Sequence, residues 1–111
     1  QPLVVSYGTS PAAEVVFAEK PLDDSPTASM LGSDTCFRQI EFIGILKGTQ
    51  NRPLAEKFVD FMLSQQFQED MPLQMFVYPV NPNAALPEEF TKYAQAPKQP
   101  ATLARCDRRQ A

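Results

Sequence analysis

The segment VVSYGTSPAAE, residues 4–14, brings an aromatic ring, two hydroxyls and a predicted helix start together. A helix that begins at Ser10 leaves its first backbone N–H groups unpaired, and that end carries a partial positive charge. With the hydroxyls of Thr9 and Ser10, these N–H groups could hold a phosphate or carboxylate. The ring of Tyr7 could face an aromatic or cationic ligand. The alternative is structural, with Ser10 capping its helix and Tyr7 packed in the core.

The residues available for catalysis and metal binding are few. The chain has no histidine, and its two cysteines, Cys36 and Cys106, lack the spacing of a zinc site. A serine–histidine hydrolase is excluded, and no motif arranges Glu41 or Asp60 for acid–base chemistry. We therefore predict no enzyme, catalytic residue, metal site or cofactor. A Cys36–Cys106 disulfide has only weak support from two distant cysteines.

The charge distribution also narrows the choice of partners. The net charge of the 111 residues is -3, and the last seven residues hold three of the ten basic side chains. No basic stripe precedes that end, so the sequence disfavours nucleic-acid binding. No apolar run approaches the length of a membrane span. The chain begins with glutamine and shows no signal peptide, which predicts a processed or excerpted chain.

Hydrophobic periodicity predicts alternating strands and helices in one α/β arrangement. The second predicted strand alternates, which places Gln39 and Glu41 on one face and Arg38 on the other. The following helix carries apolar residues at spacings of three and four, so Phe58, Phe61 and Met62 are predicted to be core. The predicted order is a strand over 3–7, a helix over 10–19, a loop over 20–35, a strand over 37–47 and a helix over 53–69.

Proline dominates the rest of the chain. The apolar segment between Pro72 and Pro79 is predicted to be an edge strand or an extended loop, because proline cannot occupy a central strand. A last short helix is predicted to begin near Pro87. From residue 96 onward the composition is that of a tail.

Four stretches carry a resemblance to a known family: VVSYGTSPA, FRQIEFIGILKGTQN, LAEKFVDFMLSQQFQEDMPLQMFVYPV and LPEEF. In this order they resemble the C-terminal part of thiamine-binding proteins, the extracytoplasmic solute-binding components of ABC importers. The resemblance covers residues 3–103. Iron(III) and polyamine binders share the LKGTQN, LAEKFVDFMLS and YPV pattern more loosely, so these ligands remain alternatives.

The resemblance implies an α/β protein with a type II periplasmic-binding-protein fold, in which two lobes hold the ligand between them. Residues 1–103 would be the C-terminal portion, contributing to both lobes and to the hinge through the strand near Gln39. Residues 104–111 depart from the family and are predicted to be a disordered or altered tail. The implied location is the periplasm or cell surface, and the implied partner is the membrane permease of an ABC transporter.

The resemblance also assigns a ligand and a site. The ligand is thiamine or a thiamine phosphate, with Glu41 facing its cationic or aminopyrimidine part and Ser10 taking a phosphate. The structural alternatives are an exposed strand edge for Gln39 and Glu41, and core packing for Phe76 and Tyr78. A fragment lacking a lobe could instead form a homodimer through residues 39–45, or act as an interaction module without ligand. The implied ligand-binding residues are Tyr7, Thr9, Ser10, Gln39, Glu41, Phe76 and Tyr78.

Overall fold

The computed structural model describes residues 2–101, and the regular elements there are helices. They pack in two pairs: the first and last helices, α1 and α4, pack together across the chain, and α2 meets its neighbour α3. No helix in this range is long and apolar enough to cross a bilayer. The helices are α1 (Ser10–Val16), α2 (Arg52–Met62), α3 (Gln65–Met75) and α4 (Glu88–Tyr93).

Helix α1 begins out of a tight turn. The Ser10 backbone N–H donates to the Tyr7 carbonyl over 3.0 Å, and Thr9 has φ -91° and ψ -4°. These angles are those of the third residue of a type I turn. Thr9 therefore occupies the N-cap position that the sequence analysis gave to Ser10, and the helix itself is confirmed. It ends at Val16, earlier than predicted, with Phe17 as its C-cap.

The long helix predicted over 53–69 is wrong as a single element, because the structure divides it into α2 and α3. Ser64 has ψ 153° and its hydroxyl accepts from the Phe67 N–H at 3.4 Å, so it caps a new helix. The prediction of an edge strand or extended loop between Pro72 and Pro79 is wrong for residues 72–75, whereas residues 77–79 lie outside the helices. Helix α3 continues through the buried Pro72 to Met75 and ends where Phe76 adopts left-handed backbone, φ 54°.

The core lies between α1 and α4. Ala12 is completely buried, and Phe90 and Ala94 are each 1% exposed. The small Ala12 side chain lets α4 approach, so that the Phe90 ring fills the contact. Helix α4 begins after Pro87, which confirms the last predicted helix.

A set of hydrogen bonds holds the segment after α3 against the α2–α3 junction. The Asn81 side chain donates to the Leu63 carbonyl at 3.0 Å, and the Ala85 N–H donates to Glu69 at 3.1 Å. Gln65 also donates to Glu69, and this bond and the one from Ala85 lower the pKa of Glu69. The loop is therefore positioned by side chains, although it has no regular structure.

The two strands predicted over 3–7 and 37–47 are not formed among the described residues, so the α/β layer is absent there. Strand hydrogen bonds need a second segment alongside, and between residues 2 and 101 only Phe37 pairs in this way, in an isolated parallel bridge with Ala101. The bridge attaches residue 101 to the chain at Phe37, although the composition from residue 96 onward is that of a tail. The segments are solvent-exposed: Val5 completely and Phe42 by 89%.

The apolar stripe of α2 is the other correction. Phe58 is 55% exposed and Phe61 is 48% exposed, and α2 contains no buried residue. The prediction that these side chains form the core is wrong for residues 2–101, because the described chain covers that face only in part: the Phe61 ring meets the Phe67 ring of α3 edge-on at 5.4 Å. The Cys36 thiol donates to the Met30 carbonyl at 3.3 Å. Its suggested disulfide partner, Cys106, and the predicted tail 104–111 lie outside the described residues.

Candidate ligand-binding site

Tyr7 is the most accessible ring among the predicted site residues. It is 74% exposed, and its backbone carbonyl is fixed by the bond from the Ser10 N–H. The turn thus anchors the main chain while the phenol ring stays in solvent. This arrangement leaves a π-face open to a cationic or aromatic ligand.

The neighbouring hydroxyl residues are less open. Thr9 is 7% exposed. The Ser10 hydroxyl lies 2.7 Å from the Ser6 hydroxyl, so the two share a hydrogen bond. In this structure the predicted anion-binding hydroxyls are therefore partly engaged by the protein.

Phe76 and Tyr78 belong to an aromatic cluster around the buried Phe90. The Phe76 ring centroid lies 6.2 Å from that of Phe90 in a stacked arrangement, and Tyr78 meets Phe90 edge-on at 5.6 Å. Phe17, at the end of α1, contacts Phe76 at 5.3 Å. The Tyr78 hydroxyl donates to the Ala94 carbonyl. The two predicted rings are therefore brought together by core packing.

Tyr78 still reaches the surface, with 37% of its side chain exposed. Burial of the rest raises the pKa of Tyr78, and the nearby Cys36 adds to this effect. The phenol is therefore held in its neutral form, in which it donates to the carbonyl of Ala94. Part of the residue therefore stays accessible to a ligand.

Helix α1 separates the two groups of site residues. Tyr7 precedes its first turn, whereas Phe17, the contact of Phe76, follows its last turn. Seven residues at the usual rise make α1 about 10 Å long. Tyr7 and the Phe76–Tyr78 pair thus lie toward opposite ends of α1.

Gln39 and Glu41 lie in the exposed segment 38–46, outside the helices. Neither side chain makes a hydrogen bond with another residue of the described range. The structure therefore does not join them to Tyr7 or to the aromatic cluster.

Sequence reasoning missed two features near these residues. A groove of about 480 Å³ lies between residues 43–49 and α2, with Ala55, Phe58 and Val59 on its helical side. It was missed because the amphipathic pattern of α2 indicated a covered core face. The second feature is a row of hydroxyls at residues 25, 27 and 29 that bond to α1 and its entry turn. Their spacing of two in the sequence could have indicated a row of hydroxyls, but it does not indicate which residues they bond to.

The candidate site contains no clustered metal ligands. Across residues 2–101, no group of three or more histidine, cysteine, aspartate or glutamate side chains is close enough to hold an ion.

Two thiamine-binding periplasmic proteins are similar to this chain in sequence. Over 93 residues the chain is 36% identical to the thiamine-binding periplasmic protein of Salmonella typhimurium, covering 84% of this chain and 27% of the relative. It is 36% identical over 90 residues to the protein of the same name from Escherichia coli, covering 81% and 26%. The chain thus spans about a quarter of the length of these curated relatives. No solved structure matches it.

The sequence model of one protein family, described as bacterial extracellular solute-binding protein, matches residues 4–98. This family consists of binding proteins that act outside the cytoplasm, and it implies a periplasmic-binding-protein fold. The match spans most of the chain and includes α1, the segment 37–47 and the aromatic cluster. The chain therefore belongs to the family of bacterial extracellular solute-binding proteins.

Proposed function

We propose that this chain is the C-terminal portion of a solute-binding component of an ABC importer that captures thiamine or a thiamine phosphate in the periplasm. The observation that carries the proposal is the 36% identity to two thiamine-binding periplasmic proteins over more than four-fifths of the chain. The ligand would then pass to a membrane permease. The role is binding and delivery, with no chemical step and no cofactor.

The exposed ring of Tyr7 supports this ligand class. Thiamine carries a permanently charged thiazolium ring and an aromatic aminopyrimidine. A cation of that kind is stabilised by the face of an aromatic side chain, and more strongly when water is excluded. Tyr7 is 74% exposed on a turn fixed by hydrogen bonds, so its ring can meet a ligand without leaving a packed position.

Phe76 and Tyr78 are proposed as a second aromatic surface for the ligand. Their packing against Phe90 fixes their orientation before any ligand binds, which lowers the entropy cost of binding. Phe76 holds a left-handed backbone conformation that an aromatic residue rarely adopts. Thr9 and Ser10 are proposed to lie near the ligand, with Ser10 taking any phosphate.

The roles of Gln39 and Glu41 depend on a finer proposal about the fold. We propose that 3–7 and 37–47 become strands of a two-lobed α/β, type II arrangement when the rest of a longer chain pairs with them. Apolar side chains exposed on both sides of the second segment support this, Ile40 by 58% and Ile43 by 44%. Glu41 would then present a carboxylate to the thiazolium cation from the hinge, with Gln39 beside it.

Self-association is a second candidate property, favoured by one specific observation. Phe42 is 89% exposed and Leu46 is 83% exposed, and the backbone groups of residues 38–45 form no hydrogen bond with another described residue. Such a segment can pair with the same segment of a second copy. In this reading the 111-residue chain forms a homodimer without binding a small molecule.

Isothermal titration calorimetry of the full-length protein tests the ligand. Thiamine, thiamine monophosphate, spermidine and Fe³⁺ are titrated separately into the same preparation. We expect thiamine or its phosphate to bind most tightly. Saturable binding of spermidine or Fe³⁺ without binding of either thiamine form would overturn the proposed ligand and favour the alternatives.

A further inference from the structure

Three hydroxyls at alternate positions fasten residues 25–29 across α1 and its entry turn. Ser25 donates to the Pro11 carbonyl at 3.1 Å, and Thr27 donates to the Glu14 carboxylate at 2.7 Å. Ser29 donates to the Gly8 carbonyl at 3.0 Å. We call residues 25–29 the hydroxyl strap. It gives the otherwise irregular loop over 20–35 a fixed position on α1.

The Ser29 end of the strap bonds to the turn that carries Tyr7. Gly8 is the second residue of that turn, between Tyr7 and Thr9. A Cβ atom built on Gly8 would meet nothing within 4 Å, so neighbouring atoms do not restrict this residue. Glycine has the widest backbone freedom of any residue, and the turn therefore depends on hydrogen bonds for its conformation. Within the described residues, Ser29 supplies the side-chain bond to the Gly8 carbonyl, and the Ser6 hydroxyl shares a further bond with Ser10 at the end of the turn.

We infer that Ser29 is a positioning residue: its bond to the Gly8 carbonyl restricts the turn and so orients the ring of Tyr7. The ligand-binding part of this inference rests on the proposed function, whereas the restriction of the turn does not. Ser25 and Thr27 hold the strap on the body of α1 instead. Of the three strap hydroxyls, one therefore bonds to the turn and the other two attach the strap to α1.

Hydrogen exchange of the Ser10 amide in the ligand-free, full-length protein measures opening of the turn, because that amide bonds to the Tyr7 carbonyl. We expect Ser29→Ala to accelerate this exchange by roughly 2- to 10-fold, the equivalent of one lost hydrogen bond. Thr27→Val is the matched control, since it removes a strap hydroxyl away from the turn. It should leave the Ser10 exchange unchanged. Equal acceleration in both variants, or none in Ser29→Ala, would overturn the inference.

Rescue separates positioning from general support of the loop. Gly8 has no left-handed φ and has open space at its Cβ position, so alanine fits there. Alanine narrows the backbone freedom of the residue. Gly8→Ala combined with Ser29→Ala should therefore return the Ser10 exchange rate toward that of the wild type. If Ser29 only attached the loop to α1, Gly8→Ala would not restore the rate, and the inference would be wrong.

Two further measurements keep the outcomes distinct. If Ser29→Ala does not fold, Ser29→Thr retains the hydroxyl and should exchange as the wild type does, whereas Ser29→Cys, a weaker donor, should be intermediate. Thiamine titration of Ser29→Ala should show roughly 2- to 10-fold weaker binding, with Thr27→Val unchanged. Absence of thiamine binding by the wild type contradicts the proposed function alone, because the exchange rates still decide the role of Ser29.

Discussion

Gln68 and Val80 are joined by a hydrogen bond of 2.7 Å, from the backbone N–H of Val80 to the side-chain oxygen of Gln68. The nitrogen of the same side chain donates to the Met62 carbonyl at 2.8 Å. Gln68 is 8% exposed, so both bonds are shielded from water. One buried amide thus ties the end of α2 and the chain after Tyr78 to the N-terminal part of α3.

Removing this amide should destabilise the protein. Gln68→Leu preserves the approximate volume but leaves the Val80 N–H and the Met62 carbonyl without partners. We expect a loss of about 1–3 kcal/mol in the free energy of unfolding, measured by urea denaturation of the full-length protein. The control is Gln66→Leu, an exposed position on the same helix, which should change little. Equal stability of both variants would contradict the role given to Gln68.

The Phe90 ring should be the most costly aromatic deletion in the described range. It is 1% exposed and contacts both Phe76 and Tyr78. Phe90→Ala should cost about 3–5 kcal/mol in the free energy of unfolding, from lost burial and a residual cavity. Phe90→Leu fills much of that space and should cost less. A loss below about 1 kcal/mol for Phe90→Ala would show that the α1–α4 contact is not a stabilising core.

The exposed segment 37–47 should drive self-association of the isolated 111-residue chain. Phe42 and Leu46 lie in solvent there, and we expect a dimer or a domain-swapped assembly by light scattering. Phe42→Glu should increase the monomer fraction, because pairing would bury its charge. Phe42→Leu, which stays apolar, should remain assembled. A clean monomer at high concentration of the unmodified chain would contradict this prediction.

The sequence predicted the local elements better than the sheet. Helix α1 follows from Ser10–Pro11 and α4 from Pro87, because their start signals lie within a few residues of the helices themselves. The break at Ser64 was missed, since the apolar periodicity continues across it and only the cap reveals it. The strand predicted over 37–47 is not formed among the described residues. Its own sequence could not show this, because a strand is stabilised by the segment that pairs with it.

In the candidate site, too, the sequence predicted local features but not the contacts that depend on packing. The exposure of Tyr7 and the association of Phe76 with Tyr78 are results of packing that spacing does not encode. Phe90, which brings those two rings together, was predicted only as part of a short helix. The hydroxyl strap joins Ser29 to Gly8 across 21 positions, and no periodic pattern connects loop residues to a turn at that distance.

The pH dependence of stability should include an alkaline contribution from Tyr78. Burial raises the pKa of Tyr78 in the folded protein above its ordinary value in the unfolded chain. The stabilisation of the folded protein by neutral Tyr78 is therefore fully present below the ordinary tyrosine pKa, and it is lost as the pH rises through the folded pKa. Tyr78→Phe should flatten this alkaline decline, measured by urea denaturation across the alkaline range. An identical decline in Tyr78→Phe would assign it to other groups.

Tyr7 provides the sharpest test of the ligand site, because its exposed ring can be removed with little loss of packing. Tyr7→Ala in the full-length protein should weaken thiamine binding by about 1–2 kcal/mol, the scale of a cation–π contact shielded from water. Tyr7→Phe keeps the ring and should retain most of the affinity, so the pair separates the π-face from the hydroxyl. Titration calorimetry supplies the affinities, and urea denaturation should show nearly equal stability for all three proteins. If Tyr7→Ala is folded and binds thiamine as tightly as the wild type, Tyr7 does not contact the ligand.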